Sequence, residues 1–128
     1  TQNRVKWYND SVSSSPTRTI AGLNSFALKN IILIAGGYDK NLDYDVIGKP
    51  IVDNCKALVL LGQTSEKIKN AVLKIDKNFK IVECNNIKDT IIEAKNLVKD
   101  GDVVLFSPAS ASFDMFKDFA VIIKDLYI

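Results

Sequence analysis

Short apolar runs alternate along this chain with stretches in which apolar residues recur every three or four positions, giving five or six such units. "RVKWYN" (4–9) predicts a strand, and Pro16 with "TRTIAGLNSFAL" a helix begun at the favourable first-turn proline. "NIILIA" (30–35) predicts a buried strand ending in Gly36-Gly37, and residues 45–54 a helix broken near Gly48-Lys49-Pro50. "KALVLLG" (56–62) is another apolar strand. "SEKIKNAVLKI" then sets Ile68, Ala71, Val72 and Ile75 on one helical face after a serine cap. "FKIVEC" (79–84), "IKDTIIEAKNLV" (87–98) and "DGDVVLFS" (100–107) repeat the strand–helix–strand pattern, and a last helix is expected from Phe113 onward.

Strands that read as continuous apolar runs between helices indicate a doubly wound, mostly parallel α/β sheet covered on both faces. Right-handed crossovers then place every strand-to-helix loop at one edge of the sheet. Neither a Pro/Ser/Gly-rich linker nor an internal repeat divides residues 1–128, so one domain is expected.

Composition narrows the possible chemistry. The 128 residues are 47% apolar and 25% charged, and 17 basic against 15 acidic residues give a net charge of +2. The charges are scattered rather than blocked, which argues against nucleic-acid binding. No apolar run is long enough to cross a bilayer and no signal peptide opens the chain, so a cytoplasmic location is expected. Histidine is absent, which removes Ser-His-Asp and Cys-His catalysis and the commonest metal ligand. Cys55 and Cys84 lack metal or redox spacing and read as reduced core thiols. Chemistry is left to carboxylates, lysine, hydroxyls, backbone amides or bound substrates.

Three segments at the predicted carboxyl edge are unlike ordinary connectors. In "NDSVSSSP" (9–16), Ser15 is placed to cap the helix, and the first-turn amides suit a carboxylate or phosphate. A capped helix with solvated serines explains the same residues. In "GGYDKN" (36–41), the glycines permit a sharp turn or close approach to a ligand, and Lys40 offers a point positive charge. Neither GxxxxGK[ST] nor GxGxxG occurs. In "SPASASFD" (107–114), small residues permit close backbone approach and Ser112 is placed to cap the last helix or to donate to a ligand, while Phe113, Phe116 and Phe119 share roughly one helical face.

Together "WYNDSVSSSPTRTIAGL", "ILIAGGYDKNLDY" and "VVLFSPASASFDMFKDF" resemble, in order and over nearly the whole chain, the C-terminal domain of the Mur ligases, in particular the D-glutamate-adding branch. The resemblance implies a Rossmann-like domain of about six strands, one of them antiparallel. It also implies an ATP-dependent reaction of peptidoglycan synthesis. The carboxylate of UDP-N-acetylmuramoyl-L-alanine is phosphorylated, and the amine of D-glutamate attacks the acyl phosphate. ATP and Mg2+ are held mainly by upstream domains of the family that bind UDP and carry the ATPase machinery, so this domain would be inactive alone. Its implied share is the D-glutamate site and a lid over ATP.

Carried over by position, the resemblance places Ser14, Lys40, Ser112, Phe113 and Phe119 at D-glutamate, and Asp10 with Ser11 at the nucleotide. It implies no catalytic residue and no metal ligand in this domain. Val12 stands where many members carry lysine, and "AVIIKDLYI" lacks the usual Arg-Gly pair after Phe119. The competing reading is a standalone Rossmann-like module for a nucleotide or small anion.

Overall fold

The computed structural model describes residues 5–9, 15–24, 30–37 and 41–107. Its strands are β1 (Lys6–Asn9), β2 (Ile31–Gly37), β3 (Cys55–Gly62), β4 (Ile81–Cys84) and β5 (Val103–Phe106). They form one sheet in the order β1-β5-β2-β3-β4, and every neighbouring pair is parallel. The helices are α1 (Pro16–Asn24), α2 (Gly48–Asn54), α3 (Ser65–Leu73) and α4 (Ile87–Leu97). The antiparallel sixth strand is not found among the described residues. A helix separates each of the five strands from the next, and such crossovers return the chain in the same direction.

Alternation along β2 divides the core in two. Ile31, Leu33 and Ala35 face a layer with Leu23 of α1, Ile51 of α2 and Ile68 and Val72 of α3. Ile32 and Ile34 face the opposite layer, with Val59, Phe106 and Ile87, Ile91 and Ala94 of α4. Because both faces are covered, all seven residues of β2 are buried, which is why its sequence shows no polar alternation. Helix α4 carries the chain from β4, at one edge, back across the sheet to β5, which inserts between β1 and β2.

Several elements differ in detail from the sequence reading. Residues 45–54 are not broken at Gly48-Lys49-Pro50. A 3-10 turn over Asp45–Ile47 runs directly into α2, which begins at Gly48 and so holds Pro50 in its first turn, where the missing N–H costs nothing. Helix α3 ends at Leu73, so Ile68, Ala71 and Val72 are buried but Ile75 is 52% exposed. Its N-cap is Thr64, which makes no side-chain capping bond, and Ser65 is already helical. In α1 the expected cap is present: the Ser15 hydroxyl accepts from the Arg18 amide at 3.4 Å. Cys55 is buried and Cys84 half-buried, and the two form no disulfide. The helix expected from Phe113 lies outside the described residues.

Candidate functional site

All seven residues singled out from the sequence, Asp10, Ser11, Ser14, Lys40, Ser112, Phe113 and Phe119, lie outside the described residues. The structure does place the flanks of the segments that carry them. Asn9 ends β1, Gly37 ends β2 and Ser107 follows β5, and these three strands adjoin, with β5 in the middle. Asn9 is level with Phe106, and Phe106 with Ile34. At about 4.8 Å between neighbouring strands, Asn9, Phe106 and Ile34 lie within about 10 Å of one another at that level. The strands share a direction, so all three segments leave from the carboxyl edge, where ligands of open α/β sheets bind.

β2 runs three residues past Ile34, rising about 10 Å above the level of Asn9 and Phe106. It does so against β3, with Gly36 opposite Leu61 and Gly37 opposite Gly62. Gly36 has φ 125°, and a Cβ on it would overlap the Leu61 carbonyl oxygen. A Cβ on Gly62, at φ 83°, would come within 2.9 Å of the Gly37 nitrogen. The close approach that these glycines permit is therefore between the backbones of β2 and β3. The Thr64 amide then donates to the Gly37 carbonyl at 3.2 Å, fixing the strand end that precedes Lys40.

Asn41, next to Lys40 in sequence, adopts the left-handed region, φ 60°, a conformation asparagine tolerates better than most side chains. Residues 42–45 then lie along α3. Lys67 sits over the Tyr44 ring at 5.9 Å, and Lys74 pairs with Asp45 at 3.1 Å. Between them is a groove of about 580 Å³, lined also by Leu42 and Asn70. The sequence reading gave these residues no role. Their contacts tie down the chain that follows Lys40.

On the other side of β2 a buried hydroxyl pair joins two of the flanks. Thr19 Oγ1 and Ser107 Oγ are 2.9 Å apart, and neither residue is exposed. The Ser107 amide donates to the Ile34 carbonyl at 3.0 Å. Sequence reasoning missed the pair, although a threonine on the helical stripe that ends in Leu23 is a signal, since a buried hydroxyl needs a partner. Among the described residues no group of three or more His, Cys, Asp or Glu side chains is placed to hold a metal ion. One perturbed group is Cys84, whose thiol pKa is pushed up by burial first, then by the negative charges of Glu93 and Asp89.

A family model described as Mur ligase, glutamate ligase domain, matches residues 1–110. A UDP-N-acetylmuramoylalanine--D-glutamate ligase of Acetivibrio thermocellus is 52% identical over 124 residues, 91% of this chain and 26% of that protein. Proteins of the same name from Clostridium botulinum and Clostridium tetani are 46% and 49% identical, covering 93% and 90% of this chain. The chain thus spans about a quarter of the length of these relatives. A solved domain from a protein of Haemophilus ducreyi, described as a UDP-N-acetylmuramate:L-alanyl-gamma-D-glutamyl-medo-diaminopimelate ligase, superposes with a TM-score of 0.64. That match covers 94% of this chain and 92% of the other, and at 12% identity it shows the shared fold.

Proposed function

The chain belongs to the Mur ligase family as its glutamate ligase domain, and from that premise we propose that it forms the C-terminal part of a cytoplasmic enzyme adding D-glutamate to UDP-N-acetylmuramoyl-L-alanine. In this reading residues 1–128 form one domain, which holds D-glutamate and closes over ATP. UDP binding and phosphoryl transfer fall to preceding domains, with ATP as a substrate and Mg2+ bound outside this domain. The observation that supports the reading is the adjacency of β1, β5 and β2, the strands from whose carboxyl ends the three family-like segments leave.

The chemistry asked of this edge is positioning. D-Glutamate brings two carboxylates and one amine, and only the amine must stay free for attack on the acyl phosphate. Lys40 would supply the charge-assisted contact to a carboxylate, with Ser14 and Ser112 donating beside it and Phe113 and Phe119 walling the apolar stem. Asp10 and Ser11 would face the nucleotide. Closing such a site excludes water from the acyl phosphate and holds the amine in line, so rate comes from orientation and electrostatics. A standalone nucleotide module has less support, because no glycine fingerprint follows β1, where "NDSVSSSP" stands instead.

The test is an NMR titration of the purified chain with D-glutamate and L-glutamate. Weak, D-selective binding is expected, and Lys40→Ala should weaken it by about tenfold or more, as for a lost charge-assisted contact. Binding that is unchanged in Lys40→Ala overturns the assignment. Tight ADP binding by the chain alone would favour the standalone module instead.

A further inference from the structure

Beneath the carboxyl edge one hydrogen-bonded path joins Ser15, at the start of α1, to Ser107, after β5, and to Ile34 of β2. The Thr19 amide donates to the Ser15 carbonyl at 3.2 Å, which holds Ser15 at the start of α1. The Thr19 hydroxyl pairs with the Ser107 hydroxyl at 2.9 Å and also lies 3.5 Å from the Ser107 carbonyl. The Ser107 amide donates to Ile34 of β2, three residues before Gly37. The path therefore starts at the flank of the first segment, crosses the flank of the third and ends in the strand that leads to the second. Ser14 precedes Thr19 by five residues, and Ser112 follows Ser107 by five.

From this path we infer that Thr19 and Ser107 are positioning residues, setting the spacing of the segments that hold D-glutamate. The inference rests on the functional reading above. Apolar packing would fill the same space, since Leu23 and Leu105 are buried in the same layer. Packing alone tolerates sliding and rotation, whereas a hydroxyl pair between α1 and the end of β5 has one distance and a preferred direction. An amino acid held from two sides by short side chains is sensitive to that distance, because a displacement of about 1 Å breaks hydrogen bonds outright. Both hydroxyls are fully buried, so their part in this scheme is indirect.

The experiment is the same D-glutamate titration, run on Thr19→Val, Ser107→Ala, the double variant and Thr19→Ser, with Lys40→Ala alongside and thermal melts of each. Thr19→Val keeps the shape and removes the hydroxyl, and should raise the Kd for D-glutamate about tenfold. Thr19→Ser restores the hydroxyl and should return the Kd to within about twofold. The double variant should bind about as weakly as either single one, since the pair acts as a unit. Thr19→Val that melts lower yet binds as the parent does would show a merely structural pair and overturn the inference. So would a loss that Thr19→Ser fails to rescue. If Thr19→Val does not fold, Ser107→Ala against the parent decides by the same criterion. A Kd that responds to Lys40→Ala but not to the pair rejects the positioning role and keeps the site, whereas a Kd indifferent to both rejects the two together.

Discussion

At the scale of single residues, the glycines show how one sequence feature can carry a different constraint from the one first read into it. "GG" after an apolar strand is equally compatible with a ligand cradle and with close backbone packing, and here Gly36 is held by Leu61 of the adjoining strand. Gly36→Ala must both leave a positive φ and displace a buried backbone, so a loss of about 3 kcal/mol or more is expected by denaturant titration. The Ser15 cap was legible because capping is local, requiring only a hydroxyl three residues before an amide. The Thr19–Ser107 pair was not, because 88 residues separate its members and nothing local matches them. Cys84 offers a check by pH. Its thiolate is disfavoured by burial and by Glu93 and Asp89, so alkylation should be slower than for a small free thiol from about pH 7 to pH 9. The rate should still be climbing above the ordinary thiol pKa of about 8.5. A rate equal to that of free cysteine at pH 7 would contradict the buried setting.

At the scale of elements, the legible features were those with a long apolar signal. β2 and β3 follow their apolar runs to within two residues at each end, and α4 follows its 3.6-residue stripe. The stretch 45–54 misled because Gly48 and Pro50 look like breakers when read without a start point. Counted from Gly48, Pro50 falls where a helix has no amide to lose. Ile75 misled in the opposite way, since the apolar stripe continues past a helix that has already ended. The cap of α4 is better formed than that of α3: the Asn86 side chain accepts from the Asp89 amide at 2.8 Å. Asn86→Ala should therefore lower stability by about 1 kcal/mol, whereas Thr64→Ala, at a cap without such a bond, should lose no capping energy. Thermal melts of the two variants make the comparison.

At the scale of the whole molecule, sequence pattern gave the α/β class but not the strand order, and the order is what brings the candidate site together. No periodicity tells α4 to return across the sheet and insert β5 between β1 and β2, yet that step is what sets the exit of the third segment beside those of both the first and the second. The same order separates two kinds of work by edge. At the amino edge, Asp102 accepts from Lys56 Nζ and from the Lys99 amide, both at 2.7 Å, while its carbonyl accepts from the Lys6 amide. Asn30 and Gly101 are bonded nearby at 2.7 Å. These contacts close the turn before β5 and tie it to both neighbouring strands, far from the proposed ligand. Asp102→Ala strips a side chain only 9% exposed from a buried-side ion pair, and should cost about 3 kcal/mol while leaving D-glutamate affinity within about twofold. Lys40→Ala should do the reverse, weakening D-glutamate binding with little change in melting temperature. Measured together, the two variants test whether stability and recognition reside at opposite edges of one sheet. A large affinity loss in Asp102→Ala with an unchanged melt would break that division.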